Sequence, residues 1–174
     1  GLLLGGERVE HFVPPARGRT HLLRLLRDAL DATPERPGTR LGEMARFLAR
    51  TARRRQVVFW ISDFETQLEP RDWRVLSRRH DLTAIALRDA RDEMLPPVGW
   101  IEMEDLETGA RALVDTRDRK VRDRYQHEAH RRQQAARQVL ARARCELLEL
   151  RTDRSYLPVL MQYFSRRRRG RARA

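Results

Sequence analysis

The stretch Val57-Val58-Phe59-Trp60-Ile61-Ser62-Asp63-Phe64 decides the fold of this chain. Its five consecutive apolar residues are typical of a strand buried on both faces of a parallel sheet. The run ends abruptly in a hydroxyl and a carboxylate. Because ligands of open α/β sheets bind just beyond the carboxyl ends of the strands, Asp63 is the first candidate for a functional residue.

Length and cysteine content indicate one domain from a reducing compartment. A chain of 174 residues can bury a core without disulfides, and its one cysteine, Cys145, cannot form an internal bridge. No apolar stretch reaches the roughly 18 residues of a membrane span. The first residues, Gly1-Leu2-Leu3-Leu4, read as a strand and lack the basic flank and cleavage signature of a signal peptide. We therefore expect a chain that begins inside a domain and has no membrane segment.

The net charge of +12 points toward nucleic acid, because clustered basic side chains neutralise phosphates. However, the chain has 36 arginines and a single lysine, Lys120, a skew that codon bias in a GC-rich genome produces without any binding role. Six arginines lie between Arg166 and Arg173, so the rest of the chain carries only +6. A basic nucleic-acid-binding module is thus an alternative, and residues 166–174 are expected to form a disordered, Arg-rich tail.

Helices and apolar strands alternate along the chain. The predicted strands cover residues 1–5, 8–13, 56–61, 82–87 and 146–150, and the predicted helices begin near residues 20, 40, 70, 117 and 156. Because parallel strands need crossover helices, this alternation predicts a largely parallel α/β sheet covered on both faces. An insertion of about residues 98–115, with a turn containing Gly109, predicts an added antiparallel β-hairpin.

Two side chains are candidates for a metal site at the carboxyl edge of this sheet. Asp63 follows its strand directly, and hard cations such as Mg²⁺ bind carboxylate and hydroxyl oxygens; an Asx-turn or a helix cap is the alternative role for this acid. Thr39 precedes the helix that leads into the strand, where it either faces the same edge or serves as the helix N-cap. Ser62 is expected to point away from Asp63, because side chains alternate along a strand.

Other candidates have simpler explanations. His127 and His130 share a helix face and could bind a transition metal, but no third ligand is near them in sequence. Cys145 suits a small core residue. Neither a glycine-rich phosphate loop nor a nucleophile elbow is present, so we assign no catalytic residue and expect a non-enzymatic protein. An acidic cluster could suggest a metal-dependent nuclease, but acids that face solvent on a hairpin are the simpler explanation. The cluster comprises Glu102, Glu104, Asp105 and Glu107.

An ordered set of motifs resembles one bacterial family. The matching stretches are Gly1 to Leu4 leading to Val9 through Pro15, Gly38 to Leu41, Val58 to Phe64, Arg79 to Leu82, Glu93 to Pro96, Asp105 to Gly109, Val114 to Thr116, and Tyr163-Phe164 followed by arginines. Together they cover nearly the whole chain. They resemble the C-terminal two thirds of proteins in the domain-of-unknown-function family 58, whose core is similar to a von Willebrand factor A domain.

This resemblance implies a doubly wound, von Willebrand factor A-like sheet with a metal-ion-dependent adhesion site at its carboxyl edge. In such a site a Thr and an Asp join an Asp-x-Ser-x-Ser motif, and Thr39 and Asp63 match the first two. The motif belongs to a central strand that this chain does not contain and that would run between the strands at 1–5 and 56–61. We therefore expect a partial domain over residues 1–165, Mg²⁺ in the full-length protein, and none bound by this chain alone.

The resemblance also implies partners. Family members look like partners of MoxR-type AAA+ ATPases that help to assemble or activate client protein complexes. The short family members that lack membrane helices end much like this chain, which suggests a cytoplasmic location. The expected function is protein binding, in which a metal with an open position accepts a carboxylate from a partner. A metal-dependent nuclease that uses Asp63 with Glu102 or Glu104 is the least favoured alternative.

Overall fold

The computed structural model describes residues 1–34, 38–105 and 109–171, in which strands and helices alternate. The strands are β1 Leu2–Gly5, β2 Val9–Val13, β3 Val57–Ser62, β4 Asp81–Arg88, β5 Trp100–Glu104, β6 Arg111–Asp115 and β7 Glu146–Arg151. The helices are α1 Arg19–Leu30, α2 Leu41–Thr51, α3 Pro70–Arg79, α4 Ala90–Glu93, α5 Arg119–Arg142 and α6 Leu157–Arg171. The predicted α/β fold class is confirmed.

A parallel sheet of three strands, in the order β3-β4-β7, organises the fold. Ile61 of β3 lies opposite Ile85 of β4, and Ile85 lies opposite Leu148 of β7. Helix α3 connects β3 to β4, and the segment from β4 to β7 contains α4, a hairpin and α5. The sheet is therefore mostly parallel for the predicted reason, namely that helices carry the chain back between its strands.

Two antiparallel pairs accompany this sheet. Strands β1 and β2 pair with each other, with a register shift between Leu4 and Gly5. Strands β5 and β6 form the predicted hairpin, in which Trp100 lies opposite Asp115. Thr116 is fully buried at the base of the hairpin, where its hydroxyl donates to the carbonyl oxygen of Gly99 at 2.7 Å. Both pairs are separate from the central sheet in the described residues.

The main core lies between one face of the central sheet and helices α2, α3 and α5. Trp73 of α3 is completely buried, and its ring centroid lies 4.9 Å from that of Trp60 on β3. Helix α2 buries the face that its spacing predicts: Leu41, Met44, Ala45, Leu48 and Ala49. Helix α5 contributes a stripe of small and apolar side chains from its C-terminal half, among them Ala136 and Leu140.

Helix α6 covers part of the opposite face. The hydroxyl of its buried Tyr163 lies 2.7 Å from Thr83 Oγ1 of β4, and its Phe164 packs edge-on against Phe59 of β3. Arg167 forms an ion pair with Asp81 at the start of β4. The helix includes residues 166–171, so the segment predicted as a tail begins within α6, whereas residues 172–174 lie outside the described part of the chain.

One prediction about burial is wrong, and one helix has an apolar side that stays exposed. Strand β3 was expected to be buried on both faces, yet Val57, Phe59 and Ile61 are 44%, 40% and 62% exposed, because β3 is an edge strand of the described sheet and α6 reaches only part of it. Helix α1 carries several leucines but buries none of its residues. Hydrophobic spacing predicted that both elements form, but not how far the rest of the fold covers them.

Candidate functional site

The chain turns sharply where β3 ends. Phe64 has a φ of 56°, a conformation uncommon for residues other than glycine. Its side chain is 1% exposed, and its ring centroid lies 5.7 Å from that of Trp73. Burial of this ring offsets the conformational cost, so the core holds the turn in which Asp63 lies.

Asp63 is exposed at this turn, and one of its carboxylate oxygens is engaged locally. Oδ1 accepts hydrogen bonds from the backbone N–H of Glu65 at 3.2 Å and from the Ser62 hydroxyl at 3.3 Å. The first of these bonds is the Asx-turn that was the alternative role for this acid. Oδ2 has no hydrogen-bond partner among residues 1–34, 38–105 and 109–171, which leaves it open to solvent or a ligand.

The Ser62 side chain contradicts the prediction that it points away from Asp63. Its Oγ donates to Asp63 and accepts from the backbone N–H of Phe64 at 3.1 Å. Strand alternation holds only while the backbone is extended. Because β3 ends at Ser62 and Phe64 adopts a positive φ, the expected alternation stops at this point.

Thr39 is half-buried in the loop before α2 and is not its N-cap. The N-cap position belongs to Arg40, and no side chain caps the helix there. The helix begins one residue later than the prediction required. The backbone N–H of Arg40 donates to the carbonyl oxygen of Gly6 at 2.9 Å, which holds this loop against the turn between β1 and β2.

The starts of α2 and α3 lie together on the side of the fold where β3 ends. A Cβ atom at Gly42 would be 2.8 Å from Asp72 Oδ2, and Arg46 bonds the same Asp72 at 2.6 Å. Residues 64–69 connect the end of β3 directly to α3. Thr39 and Asp63 therefore share a side of the molecule, although no hydrogen bond joins them in the described part of the chain.

Arg88, at the carboxyl end of β4, is a site residue that sequence reasoning missed. It is 4% exposed, and its Nη1 donates to the backbone carbonyl oxygen of Asp63 at 2.6 Å. Carboxylate oxygens of Glu65 and Glu149 lie 3.8 Å away on either side. The available signal was the same as for Asp63, namely a charged residue that directly follows an apolar strand.

Further carboxylates make this edge acidic beyond Asp63. Burial and the neighbouring charges of Asp89 and Asp63 raise the pKa of Asp92 above its ordinary value. The pKa of Asp89 is lowered by hydrogen bonds from the Thr152 hydroxyl and the Arg91 backbone. Within the described residues these acids do not converge, since no group of three or more Asp, Glu, His or Cys side chains could hold a metal ion there.

The remaining candidates are the two histidines of α5 and the acids of the hairpin. His127 and His130 are exposed on α5, and His130 Nε2 lies 2.7 Å from the side-chain amide of Gln134. Arg111 on the facing strand lies 3.1 Å from Glu104 and 4.0 Å from Glu102, as expected for acids on an exposed hairpin. Glu107 lies outside the described residues.

Cys145 is buried, and burial raises its pKa to about 11. A thiol with this pKa is protonated at neutral pH and is a poor nucleophile. The cysteine therefore packs as the small core residue that the sequence predicted.

Two arginines of the basic C-terminal segment form ion pairs with the central sheet. Arg166 pairs with Glu146, and Arg167 with Asp81, so part of the basic segment contributes to the fold. None of the helices in the described part of the chain combines the length and apolar character that crossing a membrane requires.

Comparison with known proteins places these features in a family. The model of the family described as "Protein of unknown function DUF58" matches residues 1–136, which confirms the resemblance indicated by the ordered motifs. No solved structure matches the chain significantly.

Mycobacterial proteins described as uncharacterized are similar over most of the chain. Proteins of Mycobacterium bovis and Mycobacterium tuberculosis are each 32% identical over 177 residues, covering 98% of this chain and 54% of their own length. A Mycobacterium avium protein is 31% identical over 163 residues, covering 90% of this chain and 94% of its own. The chain thus spans about half the length of the first two relatives.

Proposed function

We propose that this chain, which belongs to the family of unknown function DUF58, is part of a non-enzymatic protein-binding module that acts with a MoxR-type AAA+ ATPase. Binding would use a site like the metal-ion-dependent adhesion sites of von Willebrand factor A domains. The observation that carries the proposal is Asp63, an exposed acid at the carboxyl end of a parallel strand with Oδ2 free of partners in the described residues. Cytoplasmic location and assembly of client complexes belong to the same proposal.

The oxygens of Asp63 and Thr39 suit a hard cation. Mg²⁺ is bound by few protein ligands and keeps several waters, so one carboxylate and one hydroxyl are a chemically reasonable part of its site. When bound, the ion would supply an open coordination position for a carboxylate of a partner protein. Two ligands do not complete the site, and the others would come from the part of the longer protein that this chain does not contain.

The unpaired edges of β1 and β3 support an additional strand in the longer protein. In the described residues β3 has β4 on one side only, and β1 has β2 on one side only. In a von Willebrand factor A-like arrangement, a central strand between them would hydrogen-bond both edges. Its connecting helix would cover the exposed side chains of Val57 and Ile61, which are costly to leave in water.

Binding by the full-length protein to its AAA+ partner tests the proposal. We expect Mg²⁺ to strengthen the association, EDTA to weaken it, and Asp63→Ala to remove the metal dependence. Asp123→Ala is the matched control, because Asp123 is an exposed acid on α5, where it faces Arg119 at 3.5 Å. Isothermal titration calorimetry with and without Mg²⁺ measures both effects. The proposal would be wrong if the association depended on neither Mg²⁺ nor Asp63, or if no association were detected.

A further inference from the structure

We infer that a cleft at the carboxyl ends of β4 and β7, beside the first turn of α6, binds an oxyanion, namely a phosphate or carboxylate group of a ligand. We call it the arginine cleft, and its polar lining includes Arg88, Arg137, Arg151, Arg154, Ser155 and Tyr156. It lies on the far side of β4 from β3 and requires neither a metal ion nor residues from outside the chain. This inference therefore goes beyond the proposed adhesion site.

The buried guanidinium of Arg88 lines the cleft between the carboxylates of Glu65 and Glu149, and one of its donors has no hydrogen bond in the described structure. Its Nη1 donates to the Asp63 carbonyl oxygen at 2.6 Å, but its Nε is buried without a hydrogen bond in the described structure. The Glu149 carboxylate is 3.8 Å from this nitrogen, beyond hydrogen-bonding distance. A buried cation with an unsatisfied donor is costly, and a nearby anion would reduce that cost.

The other arginines supply most of the hydrogen-bond donors of the cleft. Four arginines line it together with two carboxylates, Glu93 and Glu149, and a third carboxylate, Asp153, accepts from Arg151 at 3.0 and 3.1 Å. These acids are already engaged, since Arg137 bonds both oxygens of Glu149 at 2.8 Å and Arg151 bonds Glu93 at 2.7 Å. Arg154 is 69% exposed, with Asp153 at 3.4 Å, which leaves most of its donors available to a ligand. Arginine forks match the oxygens of carboxylates and phosphates.

Helix α6 directs its N-terminus at the same space. The intrahelical bonds begin with the N–H of Leu160 to the carbonyl oxygen of Tyr156, so the earlier N–H groups of Leu157 and Val159 have no helical acceptor. The first turn carries no acidic residue. The positive end of the helix dipole is therefore uncompensated beside Arg154, an arrangement that favours anions.

The size of the cleft limits what it can hold. Its volume is about 200 Å³, below the roughly 300–1,000 Å³ of pockets that enclose whole drug-sized ligands. The cleft therefore fits a single anionic group, such as a phosphate monoester or the carboxylate of a peptide, with the rest of the ligand outside.

Thermal unfolding of the full-length protein tests this inference. Inorganic phosphate and acetate are titrated separately at constant ionic strength, with NaCl as the compensating salt. We expect at least one of them to raise the Tm saturably beyond the effect of chloride. Arg154→Ala should weaken the apparent affinity by about tenfold, the effect of losing one charge-assisted hydrogen bond.

Arg124→Ala is the matched control, because it removes the same charge from an exposed site on α5 outside the cleft. The Arg124→Ala variant should bind the anion with the same affinity as the unmodified protein. Stabilisation by phosphate but not acetate would identify a phosphate ligand, and the reverse a carboxylate. The inference would be overturned if neither anion raised the Tm, or if Arg154→Ala and Arg124→Ala weakened the affinity for the anion equally. Asp63→Ala and EDTA should leave anion binding intact, which separates this result from the adhesion proposal.

Discussion

Strands β3 and β4 lie side by side in the same sheet and yet are buried to different degrees. They pair in parallel without a register shift, from Val57 opposite Asp81 to Ser62 opposite Ala86. Ile61 and Ile85 are direct neighbours in this register, but Ile61 is 62% exposed and Ile85 is 7% exposed. An apolar run therefore indicates that a strand can be buried, whereas its place in the sheet determines how far it is.

The charged residues at the ends of these strands show the same contrast. Asp63 follows β3 and is exposed, and its hydrogen-bond partners among the described residues come from its own turn and from Arg88. Arg88 ends β4 and is buried between acids on its two sides, Glu65 and Glu149. A central strand thus surrounds its terminal charge with partners, while an edge strand leaves its terminal charge available.

The largest expected effect is a difference between two identical substitutions. Ile85→Ala should lower the free energy of unfolding by ~2–5 kcal/mol, because it removes a buried side chain and leaves a cavity. Ile61→Ala should cost less than about 1 kcal/mol, because water already reaches most of this side chain. Urea unfolding of both variants measures the difference. Equal costs would show that β3 is covered as completely as β4.

The residues just before the two strands give a prediction for how the free energy of unfolding depends on pH. His80, just before β4, is 1% exposed, and neither ring nitrogen has a hydrogen bond in the described structure, whereas Gln56 before β3 is half-buried. Burial, together with Arg79 and Arg55, lowers the pKa of His80 below its ordinary value of 6.5. The fold therefore favours the neutral ring, and the unfolded chain takes up the proton first.

The neutral His80 ring therefore makes its full contribution to the free energy of unfolding above pH 6.5. This contribution is lost as the pH falls toward the lowered pKa of the folded state. The slope contributed by one group cannot exceed about 1.4 kcal/mol per pH unit. Urea unfolding between pH 7.5 and pH 5 measures it, and His80→Gln should flatten the curve in this window. A slope unchanged by that substitution would contradict the assignment to His80.

The smallest predicted effect concerns the helix that covers β4. Tyr163→Phe removes the hydroxyl that lies 2.7 Å from Thr83 Oγ1 and accepts from Arg167 at the same distance. We expect a cost of ~0.5–1.5 kcal/mol, the usual net value of one hydrogen bond, because Arg167 also donates to Thr83 Oγ1 at 3.4 Å and can keep that bond. Tyr156→Phe is the control, since Tyr156 is 55% exposed and should show almost no change. A similar cost for both would mean that the Tyr163 hydroxyl adds nothing specific to the docking of α6.

Much of the fold could be predicted from local patterns. The spacing of Leu41, Met44 and Leu48 located α2 and its buried face, and Gly109 between two short strands located the hairpin. The position of Asp63 at a strand end also followed from the sequence. Arg88 was missed because its importance depends on Glu65 and Glu149, which lie on other elements. The hydroxyl of Ser62 was misplaced because the turn at Phe64 is imposed by packing against Trp73.

The sequence by itself determined the order and type of the elements, because helix and strand periods and turn residues act over a few neighbouring positions. It also determined that Asp63 follows an apolar strand. Only the tertiary structure decided that β4 is central and β3 lies at the edge, that α1 stays uncovered, and that Arg88 rather than Asp63 is buried. Those outcomes depend on pairing and packing between residues far apart in the chain, which no local pattern encodes.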